Sequence, residues 1–246
     1  TGNEWSPNNQ MLWANETDPV TIIAYKSDVK SPEYAVNQTN VPVNIQTEQG
    51  QDDNMLKSDF LFFKQSNFIP KENLTTPDGK VDIRFQHVLS KLTLTINLGT
   101  ELNEPSVPEN NPIENLKING TSVSGTTDFG NAQDTQDNGP LPAVTPAPDK
   151  GAVSPHYIEY NKAGNKTQQG SVTYKCILIP QTVESGFSVS FNVGEKNYEW
   201  VSKGTVELQS GRAHTLTLLA GKEVVLIGGI TAGKWTVEGD QTITTE

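Results

Sequence analysis

Several stretches of this sequence have the spacing of reactive sites, and each lacks a part that the chemistry needs. Gly228-Gly229-Ile230-Thr231-Ala232-Gly233-Lys234 has the G-x-x-x-x-G-K spacing of a phosphate-binding loop. The next residue is Trp235, where such a loop needs Ser or Thr to ligate Mg²⁺, and Thr236–Asp240 carries no helical pattern whose N-terminus could face a phosphate. Ser27-Asp28-Val29-Lys30 matches S-x-x-K, a pair that works only when Lys lies one helical turn from Ser, and no helix is predicted here. Asp128, Asp134, Asp137 and Asn138 fall in one region but miss the register of a Ca²⁺ loop, and read as solvated turn residues. His87, His156 and His214 are far apart and form no H-E-x-x-H pair, which excludes a zincin. Cys176, the only cysteine, excludes an internal disulfide framework and reads as a small buried hydrophobe within Val172–Ile179. No catalytic residue, cofactor site or metal site emerges, and the expectation is a chain that is not an enzyme.

The composition narrows the partners. The 246 residues carry 18 Lys+Arg against 29 Asp+Glu, a formal charge of −11, so bulk charge cannot neutralise a phosphate backbone and nucleic acid is not an expected partner. The longest apolar run, Val224–Ile230, falls far short of the ~20 residues of a membrane span. N-x-[ST] sequons at Asn15, Asn37, Asn73, Asn119 and Asn165 are no more frequent than the abundance of Asn, Ser and Thr produces by chance.

The elements that must position any site are strands. Apolar residues alternate with period two in short runs bounded by Gly, Pro, Asn and Asp, and helical periodicity is close to absent. Val81–His87 places apolar residues at odd positions, whereas Leu92–Leu98 places them at even positions. Period two cannot change parity without an extra residue, so His87–Lys91 is expected to hold a bulge or bend. Turns are expected at Pro77-Asp78-Gly79 and Asn119-Gly120. Glu101–Pro112, with three prolines, reads as a linker, and Asn131–Pro155, with five, as a long surface loop. The expected architecture is all-β: an N-terminal β-sandwich over 1–104 and a C-terminal one over 105–246, with the Pro-rich loop at 131–155.

The runs also carry an ordered set of motifs. Trp13 followed by Thr21-Ile22-Ile23-Ala24-Tyr25, then Lys57-Ser58-Asp59-Phe60-Leu61-Phe62-Phe63, precede a block holding Phe85, His87 and Lys91 in the pattern F-x-H-x-[ML]-[SA]-K-[LI]. Pro180-Gln181, then Leu208–Leu216 with Gly211 and His214, then Ile230 to Trp235 follow. This set resembles the fimbrillins, pilin subunits of type V pili of Bacteroidales-type bacteria. The resemblance implies two transthyretin-like β-sandwich domains in tandem, export as a lipoprotein precursor through the outer membrane, and a place in a cell-surface fimbria. It implies removal of an N-terminal strand and filling of the groove by a C-terminal strand of the next subunit, which satisfies both apolar surface and unpaired backbone. Partners would be other pilus subunits by strand exchange, with host or bacterial surface ligands as further partners, and a lipid anchor in the precursor. A start at Thr1 fits a trimmed mature form and a cloning boundary equally.

The candidate donor strand is Thr236–Glu246, which could reach about 36 Å. Of its residues, Val237, Thr242, Ile243 and Thr244 are singled out, although Val237 and Ile243 alone are apolar on one face. That sparse face leaves stalk, tip and anchor roles open. The Pro-rich loop and the aromatics Trp5, Trp13 and Tyr157 near expected loops support an alternative, a surface adhesin or glycan-binding β-sandwich module.

Overall fold

The computed structural model describes residues 13–27, 40–51, 53–74, 81–135, 140–221, 225–235 and 243–244. Among them the chain forms strands almost throughout: β1 (Val20–Lys26), β2 (Asn40–Asn44), β3 (Leu61–Phe68), β4 (Asp82–Ile83), β5 (Gln86–His87), β6 (Ser90–Leu98), β7 (Ile113–Ser122), β8 (Ser124–Asp128), β9 (Ala143–Pro146), β10 (Lys150–Val153), β11 (His156–Asn161), β12 (Gly170–Leu178), β13 (Gln181–Val183), β14 (Ser188–Val193), β15 (Lys196–Val201), β16 (Val206–Leu208), β17 (Arg212–Ala220), β18 (Val225–Lys234) and β19 (Ile243–Thr244). Two one-turn helices, α1 (Asn54–Lys57) and α2 (Pro70–Asn73), complete the regular structure together with one short 3₁₀ turn. The all-β expectation holds.

The largest sheet runs β11-β12-β6-β17-β18, and a four-stranded sheet runs β10-β7-β14-β15. Alternation fixes which faces meet. In β6 the even-numbered Leu92, Leu94, Ile96 and Leu98 are buried, as are Val172, Tyr174, Cys176 and Leu178 of β12 and Leu216 and Leu218 of β17. They form one core with Ile118 of β7, Val189 and Phe191 of β14, and Trp200 of β15. Smaller sheets, β1-β3-β5 and β2-β8-β9, extend this body, and Tyr25, Phe60, Phe62 and Phe129 pack as an aromatic cluster between them.

The expected division at 104/105 does not follow these sheets. β6, from the first hundred residues, is the central strand of the largest sheet, antiparallel to β12 and parallel to β17. β2 likewise pairs with β8 across the expected boundary. Glu101–Pro112 is therefore a connection inside one core rather than a linker between two, its prolines reflecting an irregular path.

The parity argument holds in a sharper form. β5 pairs with β3, whereas β6 joins the five-stranded sheet, so the chain changes sheets at the bend between them. The strand expected over 81–87 is broken into β4 and β5 at Arg84-Phe85. The turn expected at Asn119-Gly120 is absent, because β7 continues to Ser122 with Gly120 at φ +86°. A Cβ there would lie 2.1 Å from the Gly186 carbonyl oxygen, so this glycine serves close strand approach rather than reversal. The Pro-rich segment is not all loop either: β9 and β10 lie within it, both at sheet edges, where proline is tolerated. The turn expected at Pro77–Gly79 lies outside the described residues.

Gly120→Ala should lower stability by about 2–4 kcal/mol, combining positive-φ strain with a backbone clash. Gly204→Ala, where nothing lies within 4 Å of the added carbon, should change it by less than about 0.5 kcal/mol. Urea unfolding midpoints of the two variants check the contrast.

Candidate functional site

The bend between β5 and β6 needs both of its residues buried, and other segments must then satisfy its backbone. Val88 and Leu89 are fully buried. Val88 N–H donates to Phe60 O at 3.0 Å, and Ser210 Oγ donates to Val88 O at 2.6 Å. Gly211 N–H donates to Leu89 O at 3.1 Å, and Ser90 Oγ donates to Gln209 O at 2.7 Å. The turn at 209–211 thus grips the bend. Gly211 adopts φ +64°, and a Cβ there would sit 3.0 Å from His87 O, so both conformation and space require glycine.

Trp235 closes this corner. Its N–H donates to Gly211 O at 3.3 Å, and its indole stacks on the His87 imidazole with centroids 3.7 Å apart and planes 6° apart. Lys91 Nζ lies 5.6 Å from the indole centroid, within cation–π range. Asp59, set between α1 and β3, receives the His87 Nδ1–H at 2.9–3.0 Å from its two oxygens, and both side chains are about nine-tenths buried. A carboxylate that orients an imidazole is also part of a catalytic triad. Here the ring faces an indole, and among the described residues no hydroxyl or thiol is hydrogen-bonded to it. The arrangement ties β5, β6 and Trp235 together as a clasp.

β19 pairs antiparallel with β4, Ile243 opposite Ile83 and Thr244 opposite Asp82, only a few residues upstream of His87. Two of the four candidate donor residues, Ile243 and Thr244, are therefore paired within their own chain; Val237 and Thr242 lie outside the described residues.

The structure brings His87, Lys91, Gly211 and Trp235 together and leaves the rest elsewhere. Phe85 is half-buried between β4 and β5. Pro180 is buried, and Gln181 braces the end of β7: its Oε1 accepts Ser122 N–H at 3.0 Å while its Nε2 donates to Ile179 O at 3.0 Å. His214 is buried, its Nε2 accepting Gln209 N–H at 3.0 Å, and burial holds its pKa below the ordinary range. Asp134 accepts Ser66 N–H at 2.9 Å, padding the part of β3 that β5 does not reach, and no metal-binding cluster occurs among the described residues. Cys176 is buried with its thiol pushed up to about 12.

Sequence reasoning missed Asp59 as a partner, although its S-D stretch was in view. It also missed Gln49, fully buried, whose amide donates to Ile177 O at 2.7 Å and accepts Ile177 N–H at 2.8 Å. A lone glutamine in a loop carries no periodic signal.

A double-mutant cycle of His87→Ala with Trp235→Ala should give a coupling of about 0.5–1.5 kcal/mol, while His87→Ala with Trp200→Ala should be additive within about 0.5 kcal/mol. Because the folded pKa of His214 lies below its unfolded value near 6.5, stability falls as pH drops below that value. Urea midpoints between pH 7 and 5.5 should therefore fall less steeply in His214→Asn than in the wild type.

The family model for fimbrillin-like proteins matches residues 1–235, ending on the clasp tryptophan. No curated protein matches the chain in sequence. Among solved structures, a candidate cell adhesion protein from Bacteroides ovatus superposes with TM-score 0.61 at 18% identity, covering 96% of this chain and 75% of that one. Another from Bacteroides uniformis gives TM-score 0.59 at 17% identity, covering 89% and 74%. The neighbours share the fold, the model spans all but the last eleven residues, and the chain belongs to the fimbrillin-like family.

Proposed function

We propose that the protein is a subunit of a cell-surface pilus, exported to the surface and joined to neighbouring subunits by strand exchange. The observation that carries this reading is the fimbrillin-like match over residues 1–235. The segment following Trp235 is the proposed donor, and the edge at β4 its acceptor. Among the described residues this pairing within one chain involves two residues on each strand, and isolated short ladders are marginal in water. Pairing that is weak in cis can be exchanged in trans with little loss, because the same backbone groups meet. A donor from one copy and an acceptor on the next make a heterologous contact, which repeats into an open filament. The net charge of −11 keeps such an exposed assembly soluble.

Cysteines introduced as Ile83→Cys and Ile243→Cys would stand opposite each other, at a spacing a disulfide accepts. Cys176 is buried and does not compete. Oxidation of assembled protein should give a ladder of covalent multimers, and deletion of 236–246 should abolish it together with filaments seen by electron microscopy. Filaments that form with intramolecular links alone, or that persist after the deletion, would refute tail exchange.

A further inference from the structure

The four-stranded sheet leaves a gap that the clasp and the tail do not explain. On one side of β7, β14 pairs along most of its length; on the other, β10 reaches only as far as Ile118. Among the described residues no strand pairs with Glu114–Lys117 on that side. The chain crosses there instead at Glu48 and Ser154, which form an isolated bridge. The result is an open cleft of about 310 Å³ between β7 and the segment at Ser154-Pro155, lined by Glu48, Asn111, Asn115, Lys117, Ser154 and Tyr174. That size lies at the lower end of small-ligand sites.

Its polar groups are held in place in advance. Lys117 Nζ donates to Glu48 Oε1 at 2.8 Å and to Ser154 Oγ, and Ser154 Oγ donates to Glu48 Oε2 at 2.6 Å. These bonds hold the Glu48 carboxyl below its ordinary range, the Lys117 hydrogen bond contributing most, so it stays an acceptor. Lys117 has three N–H donors and uses two here, leaving one for a ligand. Tyr174 is buried, its oxygen accepting Asn111 Nδ2–H at 2.8 Å, and burial pushes its pKa up to about 12. It therefore keeps its proton as a donor. Beside the lining residue Tyr174 stands its cross-strand partner Tyr157, 44% exposed, with the two rings edge to face at 5.8 Å.

We propose that this cleft binds a neutral pyranose, such as a terminal sugar of a surface glycan. Adjacent sugar hydroxyls each donate and accept, which matches a fixed carboxylate acceptor beside ammonium and phenol donors. The apolar C–H face of a pyranose packs on an exposed aromatic ring such as Tyr157. Glu48 and Lys117 cancel each other's charge, so the site offers an acidic sugar no net attraction. This inference is independent of strand exchange: Tyr157 lies in β11, apart from the β19–β4 pairing, so Tyr157→Ala should leave assembly intact and the two readings fail separately.

The test is saturation-transfer difference NMR on the full chain with the methyl glycosides of D-galactose, D-mannose and N-acetyl-D-glucosamine, alongside N-acetylneuraminic acid. At least one neutral glycoside should receive saturation at its ring C–H protons. Tyr157→Ala should weaken binding by at least about tenfold, and Tyr157→Phe, which keeps the ring face, should retain it. Unchanged urea midpoints show that both variants are folded. Absence of transfer to all three neutral sugars, equal transfer in Tyr157→Ala, or transfer to the acidic sugar alone would overturn the proposal.

Discussion

A strand with period-two alternation buries one set of side chains, and moving that set to the other parity forces the chain to turn. This molecule is organised around the place where that happens, Val88-Leu89. Two consecutive apolar residues are fully buried there, where the chain leaves one sheet for another. The bend carries the chain out of the β3 sheet and into the centre of the largest one. β6 then buries Leu92, Leu94, Ile96 and Leu98, each contributing roughly 1.5–3 kcal/mol. It does so between β12 and β17, strands that arrive eighty or more residues later. The core cannot form without joining early and late parts of the chain.

The clasp follows from the same bend. The carbonyls of Val88 and Leu89 would be buried without partners unless another segment reached them, and the 209–211 turn supplies that segment. Gly211 is needed for the close approach, and its carbonyl is then positioned to hold Trp235. Trp235 in turn lies flat on His87, which Asp59 orients from behind. Core formation and the seating of Trp235 are thus consecutive consequences of one packing problem.

Much of this was legible in the sequence. Alternation gave the strand class, and the parity change between Phe85 and Leu92 marked the bend without any tertiary information. The limits were physical. Glu101–Pro112 looked like a linker because prolines and absent periodicity describe local path, not what lies on either side of it. Asn119-Gly120 looked like a turn because the same positive φ that reverses a chain also allows two strands to come very close, and only the position of Gly186 separates the cases. β9 and β10 were hidden among prolines because edge strands tolerate them. Asp59, Gln49 and the Glu48–Lys117–Ser154 network meet their partners only through tertiary contacts, so no local pattern announces them.

The central claim is that β6 binds the molecule into one cooperative body from which the terminal pairing is separable. Native-state hydrogen exchange tests it most directly. The account predicts that amides of β6 exchange only with global unfolding, at the same free energy as those of β12 and β17, while those of β4 exchange far faster. Exchange of β6 together with β1 and β3 in a partial opening that leaves β12 and β17 protected would contradict it, and would restore two independent sandwiches.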